Sequence, residues 1–135
     1  MKLILIILLL PMVVHSQKNG DDLIIVKGIT FQEAGKKLLE VGYKIMRTID
    51  DNEQHLYYTE IKEDSTHSFK YYLSISVSDN TMHITCAFLR GKDGWNRGEF
   101  DDKNLTALPN RAFLVGNSFA EAFKMPIIYR RGTRM

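Results

Sequence analysis

A single cysteine among 135 residues excludes an internal disulfide, so the fold must be held by packing alone. Three prolines and nine glycines are too few for a collagen-like, proline-rich or low-complexity chain. Charge of one sign is lacking as well, since 18 basic residues face 16 acidic ones for a formal net charge of +2. That near balance gives no global drive toward nucleic acid or an anionic membrane, and no nucleic-acid partner is expected. Also missing are the dinucleotide fingerprint, the P-loop, the Gly-x-Ser-x-Gly elbow, the close Cys/His spacing of a zinc site and the EF-hand loop. No cofactor, no metal and no enzymatic activity are therefore expected.

The leader is the most informative segment present. Met1-Lys2 is followed by an almost unbroken Leu/Ile/Val run to Val14, interrupted by Pro11 and too short to span a bilayer as a helix. Val14-His15-Ser16 suits signal peptidase, so residues 1–16 read as a signal peptide and Gln17 as the first residue of the mature chain. A retained membrane anchor fits less well, because polar Gln17 to Asp22 follows without further hydrophobic length. Lipidation at the cut would need a cysteine there, and Cys86 lies far downstream. The expectation is an exported chain, periplasmic or extracellular, with no integral membrane segment after cleavage and one domain over 17–135.

Leu23 to Val26 is a β-branched run ended by Lys27-Gly28, which suits a first strand. Thr30 and Glu33 have capping-box spacing. A helix beginning there carries Phe31, Ala34, Leu38 and Val41 on one face and stops at Gly42. Tyr43, Ile45, Arg47 and Ile49 then alternate as a second strand. Asp50 to Glu53 is a polar turn, and Leu56 to Ile61 pairs back. Lys62 to His67 is charged and hydroxyl-rich, holds no apolar residue to bury, and reads as an exposed, mobile loop.

Asp79-Asn80 tolerates the positive backbone angles of a two-residue turn, which predicts a hairpin from about Ser68 to Arg90. Pairing Ser78 with Thr81 sets Val77 by Met82, Ile75 by Ile84, Leu73 by Cys86 and Tyr71 by Phe88 on one apolar face. The opposite face then carries Ser76 with His83, Ser74 with Thr85 and Tyr72 with Ala87. Cys86 in that alternation reads as buried and inert. Gly91 to Asn104 reads as a loop. Pro109 or Asn110 opens a last helix carrying Ala112, Val115, Phe119, Ala122 and Phe123, ended by Lys124-Met125-Pro126. Ile127 to Tyr129 can add an edge strand before the basic tail of Arg130, Arg131 and Arg134. The fold class is α+β, a two-layer sandwich in which a curved antiparallel sheet of four to six strands carries two helices on one face.

Histidines 55, 67 and 83 fall on different segments, and a solvated sheet histidine is the simplest reading of His83. Turn carboxylates at Asp50 to Glu53 and Asp101-Asp102 lack the apolar surroundings that raise a catalytic pKa. Arg90, Lys92, Trp95, Arg97 and Phe100, interleaved with glycines, have the composition of a binding loop. The competing reading, which residue type alone favours, folds Trp95 over the end of the sheet as a plug of the core.

Ile25-Val26-Lys27-Gly28-Ile29-Thr30-Phe31 and Leu38-Leu39-Glu40-Val41-Gly42-Tyr43-Lys44-Ile45, with Trp95 ahead of Ala112 to Phe123, resemble small exported proteins of unknown function common in Bacteroidetes. That resemblance implies a strand and helix entering an antiparallel sheet, and it brings no activity or site. In shape such domains also look like those of envelope assembly lipoproteins and of TATA-binding-protein-like folds. The functional expectation is a non-enzymatic exported binding domain engaging a protein or cell-envelope partner. Alternatives are a carrier of a small apolar ligand lined by Phe31, Leu38, Phe119 and Phe123, and a hydrolase using His83.

Overall fold

The computed structural model describes residues 22–65, 69–90, 92 and 94–132. The signal-peptide reading, His67, Ser68 and Arg134 lie outside the described residues. Ten elements follow in order: β1 (Leu23–Lys27), α1 (Phe31–Glu40), β2 (Ile45–Asp50), β3 (His55–Thr59), β4 (Lys62–Asp64), β5 (Phe69–Ser78), β6 (Thr81–Leu89), β7 (Trp95–Arg97), α2 (Leu108–Glu121) and β8 (Ile127–Arg130). The strands form one open antiparallel sheet of order β2-β3-β5-β6-β1-β8, with β4 paired to β5 and β7 to β6.

The β5–β6 hairpin organises the sheet. Asp79 and Asn80 both take the left-handed conformation, with φ of 53° and 57°, and the two-residue turn fixes the expected register from Ser78↔Thr81 to Tyr71↔Phe88. Leu73, Ile75, Met82 and Ile84 are consequently all fully buried. Residues of one parity on β1, β5 and β6 join Ala34 and Leu38 of α1 and Ala112, Phe119 and Ala120 of α2 in a single hydrophobic cluster. We term this side of the sheet the core face.

Local chemistry sets the helix ends. Thr30 Oγ1 accepts from Glu33 N at 3.1 Å while Glu33 Oε1 accepts from Thr30 N at 2.9 Å, the reciprocal capping box. These bonds, the backbone one first, hold the Glu33 carboxyl below its ordinary range. Gly42, at φ 95°, turns the chain out of α1, and Tyr43 N donates to Leu38 O. Val41 is not on the buried face as expected: the helix ends at Glu40, and Val41 caps it at 40% exposure.

Among the described residues eight strands form the sheet rather than four to six, because two segments read as loops are short strands. Lys62–Asp64 pairs with Phe69–Tyr71 of β5, and Trp95–Arg97 pairs with Ala87–Leu89 of β6. The cause is backbone satisfaction rather than side-chain pattern. β3 reaches only Ser74 to Ser76 of the long strand β5, and β1 reaches only Thr81 to Ile84 of β6. The remaining lengths would stand as open edges, and β4 and β7 cover them. At the break between β3 and β4, Thr59 Oγ1 replaces a backbone acceptor by taking Leu73 N at 2.9 Å. A bulge at Met46 makes a further correction: Ile45 lies opposite Thr59 but Arg47 opposite Tyr58, so Ile45 and Arg47 point to different faces despite the expected alternation. At the other edge stands the expected short strand, β8, which pairs with β1. Among the described residues, no helix is long and apolar enough to cross a membrane.

Candidate functional site

Opposite the core face, the second face carries the side chains of the other parity. Ser74, Ser76, Thr81, His83 and Thr85 stand half-buried on β5 and β6. Tyr58 and Tyr72 lie on the same side, with ring centroids 6.3 Å apart in an edge-to-face arrangement. Trp95, opposite Leu89 on β7, extends this row: its ring meets Tyr72 edge-to-face at 5.0 Å and stays 43% exposed. Arg47 closes the other end, its guanidinium 5.9 Å from the Tyr58 ring. The core-plug reading of Trp95 is thereby overturned, because pairing of β7 with β6 holds the indole on the side away from the core cluster.

The five residues expected to form one binding loop separate. Trp95 and Arg97 share β7, Arg97 lying opposite Ala87, while Arg90 and Lys92 are exposed in the β6–β7 turn. Phe100 goes elsewhere. The backbone at Gly98 approaches α2 so closely that a Cβ there would sit 3.2 Å from Phe113 N, and Gly98 N donates to Cys86 O at 2.7 Å. Past that crossing Phe100 packs on Phe113 at 4.7 Å and near Tyr129 at 6.2 Å, with the Arg131 guanidinium 4.1 Å from its ring. Phe100, Leu105, Phe113 and Tyr129 line a half-open cleft of about 350 Å³. Buried Asn110 also lines it; its Nδ2 donates to the carbonyls of Asp101 and Asn104, while Oδ1 has no hydrogen-bond partner among the described residues.

Sequence reasoning missed a second, more polar cleft of about 480 Å³ at the hairpin end, bordered by Thr30, Phe31, Asp50, His55 and Asn80. Asp50 and His55 are cross-strand partners, and His55 Nδ1 lies 2.7 Å from Asp50 Oδ1. Their separation by a tight turn was the available signal. The hydroxyl bordering the same cleft, Thr30 Oγ1, is engaged with Glu33. Among the described residues, no group of three or more His, Cys, Asp or Glu side chains is placed to hold a metal.

His83 makes no side-chain hydrogen bond among the described residues; burial, then the charge of Arg130, holds its imidazole below the usual value. Burial alone pushes the Cys86 thiol up to about 12, which keeps it protonated and unreactive. Of Phe31, Leu38, Phe119 and Phe123, expected to line a ligand cavity, the first three are buried in the core and Phe123 packs partly buried against it: Phe31 stacks on Tyr57 at 4.2 Å, and Phe119 meets Phe123 at 5.4 Å.

Comparison with known proteins finds no matching family model, no matching curated protein and no matching solved structure. The molecule is thus defined by its own architecture, an α+β chain with an open antiparallel sheet, and by the side chains on the second face.

Proposed function

We propose that this chain is an exported, non-enzymatic binding domain, similar to the small Bacteroidetes proteins named above, which engages a protein or cell-envelope partner across the second face of its sheet. In this reading residues 1–16 are a signal peptide, and the molecule works in the periplasm or outside the cell. Sheet and helices form two layers with both helices on the core face, leaving the second face to the partner. The observation that carries the reading is Trp95, 43% exposed yet held edge-to-face against Tyr72. A large aromatic group that is already immobilised loses little entropy on contact, which is why such residues dominate binding energy. Arg90, Lys92 and Arg97 would flank the contact.

Retention of the mature chain's partners from an envelope extract tests this. Trp95→Ala is expected to weaken retention roughly tenfold while circular dichroism and melting temperature stay unchanged. Undiminished retention by the folded variant would remove the site.

A second reading, a carrier of a small apolar ligand, moves from the core to the cleft of Phe100, Phe113 and Tyr129, whose aromatic walls favour it. A hydrolase reading would need His83 paired with an acid or hydroxyl, and among the described residues its ring makes no hydrogen bond to either.

A further inference from the structure

Charge is unevenly divided on the second face. Lys27, Arg47, Lys70, Arg97 and Arg130 all stand at strand positions of its parity, whereas the acidic residue there is Glu63, opposite Lys70. The whole chain is nearly neutral at +2, so this is segregation and not excess. Its carboxylates lie mainly on α1, in turns and in the stretch before α2. A cationic surface on a balanced molecule concentrates its field on one side and attracts anions there.

The placement of those cations matters as much as their number. Arg47 is on β2 and Arg130 on β8, the two edges of the sheet. Lys70 and Lys27 lie toward strand ends. Between them β5 and β6 present hydroxyls, with Ser74 beside Thr85 and Ser76 beside His83, and β1 and β8 add the apolar Ile25 and Ile128 toward the Arg130 edge. Across it runs the aromatic row of Tyr58, Tyr72 and Trp95.

Resting on the reading of this face as the recognition surface, we propose that its ligand is an acidic polysaccharide. Sugar C–H faces suit aromatic rings, sugar hydroxyls suit the serine and threonine field, and the carboxylate or sulfate groups suit the guanidinium and ammonium rim. Single-stranded nucleic acid fits less well. Its bases stack on open, parallel rings, and here neighbouring rings are tilted at 62° and 67° to one another.

Calorimetric titration of the mature chain with polygalacturonate, heparin, neutral dextran and an oligothymidylate tests the proposal. Saturable binding to polygalacturonate or heparin is expected, and which of the two binds tells carboxylate from sulfate. Binding should weaken as salt rises. Combined Arg47→Ala and Arg130→Ala should weaken it about tenfold, and Lys36→Ala on α1 should leave it unchanged. Absence of binding to both acidic polymers, equal binding of dextran, tighter binding of oligothymidylate, or indifference to the double substitution would each overturn the proposal. Were Trp95→Ala to abolish envelope retention while neither acidic polymer bound, the surface would stand and the ligand class would fall.

Discussion

Asp22 is only 3% exposed, and both of its carboxylate oxygens are occupied: Oδ2 accepts from Phe100 N at 2.8 Å and Oδ1 from Gly132 N at 2.7 Å. In sequence it is one more polar residue ahead of the Leu23 to Val26 run. Its partners are 78 and 110 residues away, and no local pattern points to them. A carboxylate buried this far needs such donors, and here it ties the start of β1 to the Phe100 segment and the chain's tail. His83 carries a prediction at the same scale. Its pKa is lowered by burial and by Arg130, so as pH falls the unfolded chain takes up a proton before the native one does. The stabilising contribution of the neutral ring is full above 6.5 and is lost progressively as pH drops from there toward the lowered folded value. Melting temperatures recorded from about pH 8 to pH 5 should therefore fall more steeply for the native chain than for His83→Gln. Parallel curves would show that the ring's environment does not distinguish its two charge states.

Elements meet at points where one atom decides the fit. α1 lies against β3 through Gly35, where an added Cβ would overlap the Tyr57 hydroxyl and lie 2.6 Å from Tyr57 Cζ. Tyr57 cannot swing aside, because it stacks on Phe31 at 4.2 Å and its hydroxyl donates to Phe31 O at 3.0 Å. Helix propensity alone favours Gly35→Ala by about 1 kcal/mol. Overpacking opposes it by roughly 1–3 kcal/mol, and net destabilisation is expected in denaturant unfolding. Tyr57→Phe, which removes the obstructing oxygen, should recover part of the loss. A Gly35→Ala chain as stable as the parent would mean that α1 does not sit this close to β3.

Legibility followed the range of the interactions. The capping box, Gly42 and the Asp79-Asn80 turn were readable because every atom they need lies within a few residues. β4 and β7 were not, since their strand state comes from unpaired stretches of β5 and β6 and not from their own side chains. The Met46 bulge likewise belongs to a pairing, and it reversed the faces of Ile45 and Arg47 relative to simple alternation. Of the candidate site, Trp95 and Arg97 could be picked by residue type, and hairpin register already put Tyr72 on the polar face. Phe100 left the group because Gly98 carries the chain close past Phe113, a contact with no local signature.

At the scale of the whole molecule, one sheet face and both helices contribute to a single hydrophobic cluster, and the second face carries hydroxyls, cations and an aromatic row beside a few apolar positions such as Ile25 and Ile128. A core so arranged needs no disulfide, in keeping with one buried cysteine. Recognition through that face requires that it be open to solvent in the folded chain. The sole tryptophan stands on it and reports directly. The decisive measurement is quenching of Trp95 emission by iodide in the native protein. A red-lying emission quenched readily by iodide, and more readily at low salt because the surrounding cations attract the anion, is the expected result. Blue-shifted emission protected from iodide until the chain unfolds would contradict an open recognition face and return Trp95 to the core.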